Sequence, residues 1–243
     1  MSILLFAGKT VGLAVLEFLL ERRDPVSFVA VAADEDTAIL ERCREALLPH
    51  GVFTSEIAAH LAGGDRRFGW LINAWSPHIL RAPLLALADR RANLHPSLVP
   101  HCRGSDSTAW SLREGVTPGV SIIEITETVD SGGIYAQMPV EVGFPTVASD
   151  LHFRLQREMV ALFRSAWPDM LSGALQARPQ ASGGSYHLRR ETNADRVKPA
   201  ETVMTLGEAI EWMLAHDFAP GTTAELERNG ERFRVRVLVE KIG

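Results

Sequence analysis

Cysteine is almost missing from this chain: two in 243 residues, Cys43 and Cys102. Two thiols cannot build a disulfide framework, nor by themselves a structural zinc site. A reducing cytoplasm is the simplest home for such a chain. An excess of positive charge is missing too. Lys and Arg number 25 against 30 Asp and Glu, a formal net charge of −5, so there is no electrostatic footprint for RNA or DNA. No window reaches the about 18 uncharged apolar residues that a membrane span needs. The opening MSILLFAGKTVGLAVLEFLLERR superficially resembles a signal peptide. It lacks a basic start, however, and Gly8, Lys9 and Gly12 interrupt its apolar run. Internal repeats and low-complexity tracts are also absent.

What is present is the composition of an ordinary globular protein, 46% hydrophobic and 23% charged. The length suits one large α/β domain, or one domain with a small appendage. Short apolar runs predict strands at 3–8, 26–33, 68–75, 91–95, 119–125 and 134–142. Helical spacing predicts helices at 11–23, 35–50, 79–89, 107–115 and 148–171. Such alternation argues a Rossmann-like, mostly parallel α/β sheet with helices on both faces. Ligands in such sheets bind beyond the carboxyl ends of the strands. Composition turns polar near residue 178, predicting a linker into a small C-terminal helix and β-hairpin unit. Residues 206–216 read as its helix, and Asn229-Gly230 marks the hairpin turn. The expected organisation is therefore 1–178 and 179–243.

The early AGKT invites a phosphate-loop reading. That motif requires a glycine five positions before Gly8, where Ile3 stands, inside a strand. The stretch reads instead as a tight strand-to-helix turn.

ANLHPSLVPHCRG (92–104) is more informative. Asn93 and His95 are two apart on an extended segment, so their side chains point to one side. Pro96, with its fixed φ and no N–H, helps turn the chain away. Asp130 lies in the polar stretch TETVDSGG between two apolar strands; in a parallel sheet the two loops would sit side by side at one edge. Together an amide, an imidazole and a carboxylate suit acyl transfer to an amine. Asn93 would donate to a tetrahedral oxyanion, His95 would stabilise that oxygen or move a proton, and Asp130 would orient the imidazole. Spacing alone leaves the bland reading open, that of a loop histidine.

NLHPSLVPHCRG followed by PGVSIIEITETVDSGGIY closely resembles the two signature blocks of the formyltetrahydrofolate-dependent formyltransferases. The family includes glycinamide ribonucleotide, methionyl-tRNA and sugar N-formyltransferases. The resemblance spans residues 1–178 and implies Asn93, His95 and Asp130 as the catalytic triad. It implies a folate pocket at His78, Ile79 and Leu80, with the loop backbone at Thr126 and Glu127 contributing, and no metal. Cys102 stands where the family has an aromatic, Pro118 where it mostly has Thr, and Ser131 where Thr is common. The stretch between the blocks is also one residue short.

The remaining candidates each carry two readings. Trp75 and Ser76 either flank a ligand or close the core at a strand end. Arg103, with Gly104, either holds an anionic group or orders its loop. Tyr186, beside His187, Arg189 and Arg190, either engages a nucleotide or forms a solvated edge. Trp110 reads as core packing. The tail resembles that of the N-formyltransferases acting on nucleotide-linked amino sugars, as in surface-glycan assembly. The expected reaction is formyl transfer from formyltetrahydrofolate to such a sugar. Alternatives are another formyl acceptor (glycinamide ribonucleotide or aminoacyl-tRNA), a formyltetrahydrofolate deformylase, or a non-catalytic nucleotide-binding protein. The alternating strands of the hairpin leave an edge that invites a homodimer.

Overall fold

β1 (Ile3–Ala7) is buried at all five positions, the pattern of a strand covered on both faces. The computed structural model describes residues 2–63 and 66–242. After β1 come α1 (Lys9–Glu21), β2 (Val26–Val31), α2 (Thr37–Glu45), β3 (His50–Val52), α3 (Ser55–Ala62) and β4 (Phe68–Ala74). Then follow α4 (Ala82–Leu85), β5 (Ala88–His95), β6 (Arg103–Gly104), α5 (Ser107–Arg113), β7 (Gly119–Ile123), β8 (Ile134–Pro139) and α6 (Ala148–Ser172). The chain ends with β9 (Tyr186–His187), α7 (Arg189–Asp195), β10 (Val197–Pro199), α8 (Leu206–Ala215), β11 (Ala224–Arg228) and β12 (Glu231–Val235). Seven strands pair in the order β3-β2-β1-β4-β5-β7-β8. The β1, β2, β3, β4 and β5 pairings are parallel, and β7 runs antiparallel to β5. The expected mostly parallel α/β sheet is what forms. Among the described residues, no helix is long and apolar enough to cross a membrane.

The chain gathers into two compact units. One takes the residues up to His95 with Ser121–Gln137 and Met159–Gln180; the other takes Pro96–Val120, Met138–Glu158 and everything from Ala181. In the first, side-chain alternation along the strands explains a core on each face of the sheet. Leu4, Phe6, Phe28 and Leu71 cluster with Leu61 of α3 and with Leu84 and Leu85 of α4. The residue before Leu71, Trp70, points the other way and meets Trp167 of α6 edge-on at 5.2 Å. Trp167 stacks on Phe163 at 5.3 Å, and its indole N–H donates to Asp24 at 2.8 Å. Both tryptophans are fully buried. At ~25 cal/mol per Å² of apolar surface removed from water, such rings are among the largest single contributors to the core. Cys43 and Cys102 are buried and unbridged. Burial pushes each thiol up to about 11, so neither is a reactive thiolate near neutral pH.

In the second unit β10, β11 and β12 form a three-stranded sheet, and β6 pairs with β9. Thr205 and Glu208 start α8 with a reciprocal capping box. The hairpin turns at Asn229 (φ 53°) and Gly230 (φ 77°), the left-handed pair that a two-residue type I′ turn requires. At the centre lies Asp195. Its carboxylate accepts from Arg113 Nε (2.8 Å), Lys198 Nζ (2.9 Å) and His216 Nε2 (2.8 Å). Its backbone carbonyl accepts from the Trp212 indole at 2.8 Å.

Several expectations need correction. The helix predicted over 79–89 is only the four-residue α4. Ala88 instead pairs with Phe68, and strand pairing wins over the local helical spacing of a short apolar run. The predicted second helix stops at Glu45. Leu47 there has φ 54°, as at a left-handed helix end, and His50 begins the edge strand β3. α3 was not foreseen, although Thr54 caps it by accepting from Ile57 N at 3.3 Å. The polar stretch after 178 is no plain linker, since it holds β9, α7 and β10.

Candidate active site

Asn93 and His95 leave β5 near its carboxyl end. In register, Asn93 lies opposite Asn73 of β4 on one side and Ile123 of β7 on the other, while His95 lies opposite Ser121. His95 is 4% exposed. Asp130 comes to both: Asn93 Nδ2 donates to Asp130 Oδ1 at 3.2 Å, and His95 Nδ1 lies 3.5 Å from Asp130 Oδ2. The three expected triad residues therefore meet.

They meet for a different reason from the one the sequence suggested. Because β7 is antiparallel to β5, its carboxyl end points away from that of β5, and a simple side-by-side loop would not reach. The chain beyond β7 doubles back instead. Glu124 N donates to Gly133 O at 2.7 Å, and Arg91 pairs with Glu124 at 3.7 Å. A Cβ on Gly132 would sit 1.9 Å from Glu124 O, so only glycine permits this close return. Within the loop, the Thr126 and Ser131 hydroxyls lie 3.1 Å apart and 2.9 and 3.0 Å from Thr128 O, so their two protons are shared among these three oxygens. The serine standing in for the common threonine thus keeps the hydroxyl in use. Asp130 itself has φ 51°, an uncommon conformation for a residue with a Cβ that asks for outside restraint.

The residues expected around a folate are placed as follows. His78 Nε2 meets Ala32 O at 2.9 Å and its ring packs on Phe53 at 4.9 Å. Ile79 is 56% exposed, whereas Leu80 points into the core. Thr126 is half-buried and Glu127 exposed. Trp75 is half-buried with φ 70°. Ser76 is held by Asn73, which accepts from Ser76 N (3.0 Å) and donates to Ser76 O (3.2 Å). The buried Ser76 hydroxyl has no hydrogen-bond partner among the described residues. Asn73, which organises this turn beside Asn93, was overlooked in the sequence. The signal available was an amide at a strand end three residues before a serine, the spacing of a side chain that mimics a backbone turn.

Arg103, Gly104 and Tyr186 belong to the second unit, where Arg103 pairs with Tyr186 and Gly104 with His187 in the β6-β9 ladder. Tyr186 is exposed, but His187 is committed: it stacks on Trp110 at 3.7 Å with 7° between planes and meets Glu114 at 2.5 Å. Trp110 is thus a stacking platform for an internal ring, and its indole donates to Thr192 at 2.9 Å. Burial alone would raise the Glu114 pKa; hydrogen bonds from Ser185 and His187 hold it below the usual carboxylate value. Arg189 pairs with Asp106 at 3.5 Å.

The family model described as "Formyl transferase" matches residues 3–166. Among solved structures, a sugar N-formyltransferase from a Shewanella species is similar over 100% of this chain and 99% of its own, at 19% identity and TM-score 0.83. A 4-N formyltransferase from Francisella tularensis is similar over 99% and 98%, at 20% identity and TM-score 0.84. A glycinamide ribonucleotide transformylase from Symbiobacterium toebii is similar over 73% of this chain and 91% of its own, at 25% identity and TM-score 0.63.

Proposed function

Because the chain belongs to the formyl transferase family, we propose that it transfers a formyl group from formyltetrahydrofolate to the amino group of a nucleotide-linked amino deoxy sugar. One observation carries the choice of acceptor. Likeness to the Shewanella sugar N-formyltransferase runs through the whole chain, C-terminal unit included, whereas likeness to the glycinamide ribonucleotide enzyme covers 73% of it. A formyltransferase from Anoxybacillus kamchatkensis in complex with tetrahydrofolate and a UDP-linked sugar, and an N-formyltransferase from Helicobacter canadensis in complex with folinic acid and a dTDP-linked amino sugar, are among the similar folds. In this reading residues 1–178 are the catalytic domain and 179–243 an added unit.

The bound donor supplies an electrophilic formyl carbon. His95 and Asp130 take the proton from the sugar ammonium, freeing its lone pair to form the new C–N bond. Asn93 Nδ2 and the His95 imidazole hold the developing oxyanion. On collapse the adduct nitrogen gives up its second proton, the bond from carbon to the folate nitrogen breaks, and that nitrogen takes up one proton through His95 while the other leaves to solvent. On the donor side, exposed Ile79 offers an apolar surface. His78, the Leu80 backbone and the loop at Thr126 and Glu127 complete the set. We assign Trp75 and Ser76 to the acceptor, and within the second unit Arg103, Gly104 and Tyr186 as candidate acceptor contacts.

Mass spectrometry of reactions with formyltetrahydrofolate and amino sugars linked to dTDP, UDP, GDP or CMP tests this. A product heavier by one formyl group with a single nucleotide sugar is expected. Formate release without any formylated sugar would transfer the assignment to a deformylase. Two buried free thiols fit a reducing cytoplasm, and the reaction fits surface-glycan synthesis such as lipopolysaccharide.

We also assign a homodimer to the hairpin. β12 is the outer strand of its sheet, Phe233 on it is 47% exposed and Leu238 beyond it 83%, the kind of edge that pairs with another chain. Light scattering of Phe233→Glu should give half the wild-type mass; an unaltered dimer excludes this interface.

A further inference from the structure

Gln180 lies just past the segment that pins the return limb of the Asp130 loop. Arg178 and Ile134 exchange both backbone hydrogen bonds, Ile134 N to Arg178 O at 2.6 Å and Arg178 N to Ile134 O at 2.9 Å. From that anchored backbone the Gln180 amide reaches the loop itself. Its Nε2 donates to Asp130 O at 2.8 Å and to Gly132 O at 2.7 Å. The orientation of the amide is unambiguous, because flipping it would set Oε1 against two carbonyl oxygens. Oε1 is buried with no partner among the described residues, a standing cost that the two bonds from the other end of the group must offset. Thr126, Thr128 and Ser131 brace the first part of the loop among themselves, while the carbonyls of Asp130 and Gly132 are gripped from outside it. Asp130, in its left-handed conformation, is the residue most in need of that grip.

We propose that Gln180 is a positioning residue for the formyl transfer: its amide clamps the loop so that the Asp130 carboxylate stays against Asn93 and His95. This rests on the proposed function. The bonds Gln180 makes go to the backbone carbonyls of Asp130 and Gly132, so it acts through the backbone. A loop freed to shift by about 1 Å takes the carboxylate out of line, and such misplacement is costly to turnover.

Gln180→Met keeps the length of the side chain and removes both donors, and Gln180→Glu keeps its shape while setting carboxylate oxygens against the carbonyls. Each variant is compared with wild type by hydrogen–deuterium exchange over residues 124–133 and by steady-state kinetics with formyltetrahydrofolate and the accepted sugar nucleotide. Faster exchange confined to this loop is expected, with kcat lowered about tenfold and KM for the donor little changed. In an Asp130→Asn background the Gln180→Met substitution should cost nothing more, because its effect runs through Asp130. Unchanged exchange overturns the clamp. Faster exchange with normal kcat, or the full tenfold loss repeated on top of Asp130→Asn, overturns the positioning role. Should wild-type protein formylate no acceptor, the proposed function fails on that control, and the exchange experiment still decides whether Gln180 restrains the loop.

Discussion

His95→Ala is expected to lower kcat by roughly 10²–10⁴-fold while the protein stays folded. The lower end is the usual loss for one oxyanion donor, and the upper end adds a lost proton acceptor. His95 holds both roles in the proposed mechanism, since its imidazole lies 3.5 Å from the Asp130 carboxylate on the same side as the Asn93 amide. Asn93→Ala removes one donor and should fall toward the lower end. Asp130→Ala removes the charge that orients the ring and assists deprotonation, with a comparable loss. Groups that act as a unit are not additive, so Asn93→Ala combined with His95→Ala should cost far less than the product of the single losses. Initial rates at saturating donor, with a thermal melt for each variant, make the check. A folded His95→Ala protein with near-normal turnover would falsify the assignment.

Asn93 and His95 could be read because the period of two in a strand is purely local and places both on one side of β5. Asp130 was legible as a carboxylate in a polar loop, yet not the route that brings it there. Strand direction is a long-range property, and nothing in GVSII says that β7 pairs with β5 antiparallel. Gln180 was invisible for a related reason, and Asn73 offered only its spacing to Ser76. Each is an ordinary amide until its backbone partners are in space, Ser76 for one and the carbonyls of Asp130 and Gly132 for the other. The overread helix at 79–89 and the unread α3 show the same limit, since short apolar segments carry little periodicity and pairing with β4 decides the issue. His187 and Arg189 looked available to a nucleotide; their partners Trp110, Glu114 and Asp106 lie some 80 residues earlier. The hairpin, by contrast, was legible from two residues, since Asn-Gly is the pair that best tolerates a type I′ turn.

The largest loss of stability is expected at Asp195, whose replacement by alanine should destabilise the protein by about 3–5 kcal/mol. One carboxylate there gathers cationic or donor groups from α5, β10 and the end of α8: Arg113, Lys198 and His216. Its side chain is 17% exposed and that of His216 only 2%, so removing the anion strands the His216 ring away from water and leaves Arg113 and Lys198, at 25% and 20% exposed, only partly solvated. Burial alone would raise the Asp195 pKa, but hydrogen bonds from His216, Arg113 and Lys198 outweigh it and hold the carboxyl well below its ordinary 3.8. The direction of the pH dependence follows. A carboxyl more acidic in the folded than in the unfolded chain stabilises the fold in full above its unfolded value, and that stabilisation is lost as pH falls toward the folded value. Asp195→Asn keeps the shape and removes the charge. Urea unfolding of both proteins should therefore show wild type ahead by its full margin at neutral pH, with the gap closing as pH drops below about 4. A margin that stays constant on acidification would mean that the charge of Asp195 contributes nothing and that only its shape matters.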